Sequence, residues 1–151
     1  MPSYTTSHSV QVGHRLFLQP GKCQNIHGHS MKVHLKLYGD VDENGIFEGM
    51  DFGSVKKAFR MHLDTMYDHH LLLNKADPFC TGLYLSIPGD EELRQLGPGV
   101  TLPGLIPTDG DPTTENIAKW ITAWAINEFE LDCDVTVDET DSNSISVGGV
   151  R

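Results

Sequence analysis

Cysteine is scarce in this 151-residue chain: Cys23, Cys80 and Cys133 are the whole complement. An odd, sparse set excludes a disulfide framework and makes a reducing cytoplasm the expected setting. Positive charge is also short, with 11 Lys+Arg against 21 Asp+Glu and a net charge of −10 with His neutral. Such a field repels phosphate backbones, so a nucleic-acid partner is not expected. No apolar run approaches the ~18 residues of a membrane-spanning helix, and a membrane partner is not expected either. Residues Met1–Thr6 lack a basic segment followed by an apolar run, so no secretory signal is expected. Internal repeats and low-complexity tracts are absent. The 38% hydrophobic and 21% charged content is that of a globular domain, and the length suits one domain over 1–151.

Histidine is plentiful, with eight copies, and the periodicity around each decides what it can do. Residues 4–12 (YTTSHSVQV) read as a strand. In 27–38, His27, His29, Met31, Val33, Leu35 and Leu37 alternate with Gly28, Ser30, Lys32, His34, Lys36 and Tyr38. The first set shares one face of a strand, with the apolar members in the core. Asp40–Gly45 is an acidic turn. From Asp51 the period lengthens: Val55, Ala58, Phe59, His62, Leu63 and Met66 predict an amphipathic helix capped by Asp51 or Ser54. A second helix starts near Pro112-Thr113-Thr114-Glu115, with a threonine cap and an apolar stripe of Ile117, Trp120, Ile121, Trp124 and Ala125. Both tryptophans belong to the core. Alternation over 135–139 and 144–147 predicts two closing strands. The order strand, strand, helix, helix, strand, strand suits an α+β fold: a four-stranded antiparallel sheet with two helices on one face. A long Pro/Gly-rich insertion occupies about 78–111, and its Gly89-Asp90-Glu91-Glu92-Leu93 can start a helical turn. Loops of that length are usually functional or mobile.

The chemistry concentrates in Cys23-Gln24-Asn25-Ile26-His27-Gly28-His29. Histidines two apart on a strand point the same way and can reach one metal ion. Such a pair is equally two half-buried structural histidines, and a catalytic zinc needs three ligands. His14 is the best third candidate, because an adjacent strand can bring it alongside. Imidazole favours zinc over Mg²⁺ or Ca²⁺. Cys23 is a base or nucleophile if its thiolate is stabilised, a fourth ligand if it reaches the metal, or a small buried hydrophobe. Asp68-His69 can form a carboxylate–imidazole pair, or be a solvated helix end. Glu139 continues the row of Val135 and Val137. If buried it must find donors; otherwise it faces solvent. His8, His34 and His62 are read as structural or exposed.

The ordered set resembles the 6-pyruvoyltetrahydropterin synthase / 6-carboxytetrahydropterin synthase family. It comprises Gly13-His14-Arg15-Leu16, Lys22-Cys23 with His27-Gly28-His29, Gly45 to Asp51-Phe52, Asp68-His69, Pro112-Thr113-Thr114-Glu115-Asn116 and Val137-Asp138-Glu139-Thr140. The resemblance implies the tunnelling fold, with subunits joined edge to edge into a β-barrel. It implies a homohexamer, a dimer of trimers, with interfacial active sites. It also implies that His14, His27 and His29 hold Zn²⁺ and that Cys23 is the general base. Asp68 and His69 would form a proton relay contributed by a neighbouring subunit. Glu139 would anchor the pterin, with Thr113 and Thr114 lining its pocket. The implied substrate is 7,8-dihydroneopterin triphosphate, its phosphates met by basic residues such as Arg15, Lys22, Lys32 or Lys36. The three-residue gap between Cys23 and His27 resembles the queuosine-pathway carboxy enzymes, which release acetaldehyde and triphosphate. The pyruvoyl enzyme on the same substrate, and a non-catalytic pterin-binding module, are the alternatives.

Overall fold

Period-two alternation along the first forty residues produces two long paired strands, and the rest of the protein is laid against them. The computed structural model describes residues 1–86 and 104–151. Strand β1 (Ser3–Arg15) pairs antiparallel with β2 (His27–Tyr38), from Ser3 opposite Tyr38 to His14 opposite His27. Helix α1 (Phe52–Met66) follows, then β3 (His70–Asn74), α2 (Pro78–Ser86) and β4 (Leu105–Thr108). Helix α3 (Thr114–Phe129) precedes the hairpin of β5 (Cys133–Asp138) and β6 (Ser144–Gly149).

Among the described residues there is one sheet, ordered β4-β3-β1-β2-β5-β6. The α+β class stands as expected, but the sheet has six strands rather than four and is mixed: β3 runs parallel to β1, and β4 parallel to β3. The two extra strands hid for physical reasons. His70–Asn74 is a five-residue apolar run directly after a helix, too short for its period to show. Strand β4 contains Pro107, which demotes a run in a sequence reading but is tolerated at a sheet edge, where its missing N–H has no ladder to join. Helix α2 lies within the expected insertion and starts at Pro78 after Asp77, whose carboxylate accepts the Phe79 N–H at 2.9 Å. The helical turn expected at 89–93 lies outside the described residues.

Asp51 caps α1, its carboxylate accepting the Ser54 N–H at 2.9 Å. Thr113 caps α3, its hydroxyl accepting the Asn116 N–H at 3.1 Å. Both helices bury their stripes against one sheet face. Val55, Phe59 and Leu63 of α1 and Ile117, Ala118, Ile121 and Ala125 of α3 meet Val10, Val12, Met31, Val33, Leu35, Leu37, Val135 and Val137. Trp120 and Trp124 pack against this core, as expected. His62 stacks flat on Trp124, ring centroids 4.0 Å apart and 1° from coplanar. The structure pairs His8 with Asp64 at 2.7 Å and His34 with Asp138 at 2.8 Å. These pairings match the structural reading of His8, His34 and His62.

Candidate metal centre and its cleft

The site is built where the β1–β2 ladder runs out of apolar residues. Gly13 faces Gly28 across the ladder, His14 faces His27, and Val12 faces His29. Cross-strand partners share a face, so the three imidazoles emerge together at the end of the row that begins with the core residues Leu35, Val33 and Met31. Gly28 suits this close approach: a Cβ at that position would lie 3.1 Å from the Val12 carbonyl oxygen, a tight contact that the strand would have to relax.

Two backbone carbonyls orient the rings. The fully buried His14 donates its Nδ1–H to the Pro112 carbonyl at 2.7 Å, and His27 donates its Nδ1–H to the Asn25 carbonyl at 2.8 Å. A carbonyl can only accept, so each Nδ1 carries the hydrogen and each Nε2 keeps its lone pair. Those two Nε2 atoms lie 2.9 Å apart. His29 Nε2 is buried without a hydrogen-bond partner among the described residues. One ligand atom from each ring lies within 4.8 Å of the others. Lone pairs aimed at one another repel unless a cation sits among them, so this donor set fits a metal ion that prefers nitrogen. Burial holds His14 below the ordinary imidazole pKa against its Pro112 hydrogen bond. The nearby His27 and His29 rings add to the lowering, and Glu139 opposes it. A ring kept neutral is a ring ready to ligate.

Glu139 stands beside the cluster. Its Oε1 is 3.9 Å from His29 Nε2, and its Oε2 accepts a hydrogen bond from the Thr114 hydroxyl. The half-buried carboxylate therefore sits between the three imidazoles and the start of α3. The Thr113 hydroxyl is committed to its cap.

Cys23 lies on a short 3-10 turn (Lys22–Gln24), half-buried and free, outside the set of three imidazoles. Its carbonyl accepts the Leu16 N–H at 3.0 Å. Cys80 and Cys133 are buried. Burial pushes both thiols up, Cys133 to about 11, with neighbouring aspartates adding to each.

Asp68 and His69 do pair. Asp68 Oδ2 accepts the His69 Nδ1–H at 2.8 Å, and its Oδ1 accepts the Gln11 N–H at 2.7 Å. Burial would raise the Asp68 carboxyl, but the Gln11 amide, the His69 ring and the charge of His8 outweigh it and hold the pKa below the usual value. His69 adopts φ 59°, and its N–H reaches the Gln11 carbonyl at 2.7 Å. The ring opens on a cleft of about 550 Å³ lined also by His27, Gly28, His29, Ser30 and Gly104.

Sequence reasoning missed the supporting groups. The Pro112 and Asn25 carbonyls are invisible to it, because a backbone oxygen has no residue type. Arg15 ion-pairs with the buried Asp77 and donates its Nε–H to the Gln24 carbonyl at 2.7 Å. Asp111, immediately before Pro112, accepts from Asn74 Nδ2 at 3.0 Å and from the Leu18 N–H at 2.9 Å.

The family described as 6-pyruvoyl tetrahydropterin synthase matches residues 4–149. The chain is 30% identical over 108 residues to the 6-carboxy-5,6,7,8-tetrahydropterin synthase of Rickettsia bellii, covering 71% of this chain and 67% of that one. The 6-pyruvoyl tetrahydropterin synthase of Caenorhabditis elegans is 25% identical with a TM-score of 0.61, covering 99% of this chain and 97% of that one. A catalytic-residue mutant of the Plasmodium vivax 6-pyruvoyltetrahydropterin synthase has a TM-score of 0.68 at 18% identity, covering 99% and 98%. At that identity the likeness is one of fold.

Proposed function

This chain belongs to the 6-pyruvoyl tetrahydropterin synthase family, and we propose that it is a zinc-dependent 6-carboxy-5,6,7,8-tetrahydropterin synthase. The reaction takes 7,8-dihydroneopterin triphosphate and one water to 6-carboxy-5,6,7,8-tetrahydropterin, acetaldehyde and triphosphate. The observation that carries this reading is the convergence of His14, His27 and His29 through nitrogens whose opposite ring positions are, for His14 and His27, pinned by carbonyls. Three nitrogen ligands suit zinc and leave a position for substrate. Zinc held by these rings supplies a Lewis acid toward the hydroxyls of the substrate's side chain.

In this reading Cys23, outside the ligand set, takes the proton from the carbon beside a hydroxyl, and triphosphate leaves by elimination before the carbon–carbon cleavage. Asp68 fixes the tautomer of His69, leaving its Nε2 to receive or return a proton over the cleft. The pair serves its own chain's cleft or, as the resemblance implies, a neighbouring subunit's. Glu139 accepts the amino-pyrimidine edge of the pterin, steadied by Thr114, with Thr113 at the same helix start. Because Arg15 is committed to Asp77 and Gln24, the phosphates fall to lysines such as Lys22, Lys32 and Lys36. The protein is a single cytoplasmic domain that assembles as a homohexamer, a dimer of trimers. Pairing of the edge strands β4 and β6 between subunits covers two open ladders. Light scattering on the eluted protein checks that assembly.

The test is product analysis by mass spectrometry after zinc-loaded protein is incubated with 7,8-dihydroneopterin triphosphate. Acetaldehyde with a carboxypterin is expected. A pyruvoylpterin would assign the second reading, which the names of the family and of the C. elegans relative favour. Pterin binding in the calorimeter with no triphosphate released would leave a non-catalytic module.

A further inference from the structure

We propose that Asp111 is the positioning residue that holds the Cys23 loop in register with the metal-ligating His14. The inference rests on the role given to Cys23 above, and its geometry is independent of that role. Asp111 is buried at 5% exposure and stands at a junction of three elements. Oδ2 accepts the N–H of Leu18, in the loop that runs from β1 to the Cys23 turn. Oδ1 accepts the amide N–H of Asn74, at the end of β3. Its backbone carbonyl accepts from Asn116 Nδ2 at 2.8 Å and from the Thr113 N–H at 2.8 Å, at the start of α3. The next residue, Pro112, carries the carbonyl that orients His14.

Among the described residues the loop has little else to fix it from outside. Within residues 16–24 the bonds are local: Leu16 N–H to the Cys23 carbonyl at 3.0 Å, Gln19 N–H to the Leu16 carbonyl at 3.1 Å, and Gln24 Nε2 to the Phe17 carbonyl at 3.1 Å. Arg15 holds the far end through the Gln24 carbonyl. Asp111 thus tethers the middle of the loop to the helix start that aims a ligand ring. Thiol and metal site share one anchor.

The carboxylate matters because both its oxygens face donors. Asp111→Asn presents one oxygen and one NH₂, so one of the two partners meets a donor instead of an acceptor. The exchange Asp111→Asn with Asn74→Asp repairs this. The new amide oxygen takes the Leu18 N–H, its NH₂ donates to the new carboxylate at 74, and that carboxylate still accepts the Ala76 N–H that Asn74 Oδ1 accepts at 2.9 Å.

The experiment measures alkylation of Cys23 by iodoacetamide at fixed pH, zinc content, and steady-state turnover on full-length protein. Alkylation reports on Cys23 because Cys80 and Cys133 are 2% and 1% exposed. Asp111→Asn is expected to keep its zinc and shift the alkylation rate severalfold. Its kcat should fall by about 10–100-fold with little change in KM, as displaced supporting residues do. The exchanged pair is expected to return both quantities to within about twofold of the parent. An Asp111→Asn protein with parental alkylation and kcat overturns the proposal, as does a single variant that loses zinc in step with activity, or an exchanged pair that stays defective. If Asp111→Asn cannot be isolated folded, Asn74→Ala removes one donor and carries the test: a shift in Cys23 alkylation supports the tether, and parental alkylation overturns it. Alkylation needs no substrate. A parent protein that never consumes 7,8-dihydroneopterin triphosphate therefore defeats the functional reading while the tether is still decided.

Discussion

In the proposed reading a thiol and three imidazoles carry the chemistry, and their division of labour is testable one residue at a time. Cys23 lies outside the cluster of ligand atoms formed by His14, His27 and His29. Cys23→Ala is therefore expected to keep full zinc content by atomic emission while turnover falls by about 10²–10⁴-fold, the usual worth of a positioned general base. Zinc lost along with activity would make the sulfur a ligand and close the site. The same scale shows what a sequence can and cannot say. That His27 and His29 share a face follows from a period of two, and that reading stands. That Glu139 comes within 3.9 Å of His29 does not follow from any local pattern, since 110 positions separate them.

Among the elements, α3 does most to position the site. Pro112, just before its cap, presents a carbonyl to His14, and Thr114 in its first turn presents a hydroxyl to Glu139. Its cap was legible from Pro112-Thr113-Thr114-Glu115, because a hydroxyl before an apolar stripe satisfies an orphan N–H. Thr113→Ala removes that acceptor and should cost about 1 kcal/mol. At this chain length that lowers the melting temperature by about 2–4 °C in a thermal scan. Strands β3 and β4 were not legible. Their pairing is parallel and non-local, and Pro107 disguises one of them.

At the scale of the whole molecule, stability is coupled to protons and, in the proposed reading, to metal. His62 is half-buried against Trp124, its buried Nε2 has no hydrogen-bond partner among the described residues, and burial pushes its pKa from 6.5 down to about 4. The folded state thus prefers the neutral ring. Its contribution is complete above pH 6.5 and is lost progressively as the pH falls toward 4. His62→Phe keeps a flat ring on Trp124 without the titration. Urea midpoints at pH 7 and pH 4.5 should therefore fall less for the variant than for the parent. Equal falls would assign the acid sensitivity to other groups. The proposed metal would act in the opposite sense. An ion that binds only the folded arrangement of three imidazoles stabilises it by about 2.7 kcal/mol at a hundredfold excess over its dissociation constant. Chelation should lower the melting temperature, and added zinc should restore it. A melting curve indifferent to both would show that the histidine cluster does not bind the ion in the folded state.

Local pattern alone determined the two long strands, both capped helices, the closing hairpin and the shared face of His27 and His29. Each is set by contacts within a few residues: alternation, a cap, a turn. Only the tertiary structure decided which carbonyls aim the rings, where the carboxylates of Asp111 and Glu139 find their donors, and that the sheet extends to six strands. Those features are made between segments distant in the chain, where the backbone contributes as much as the side chains and residue type gives no signal.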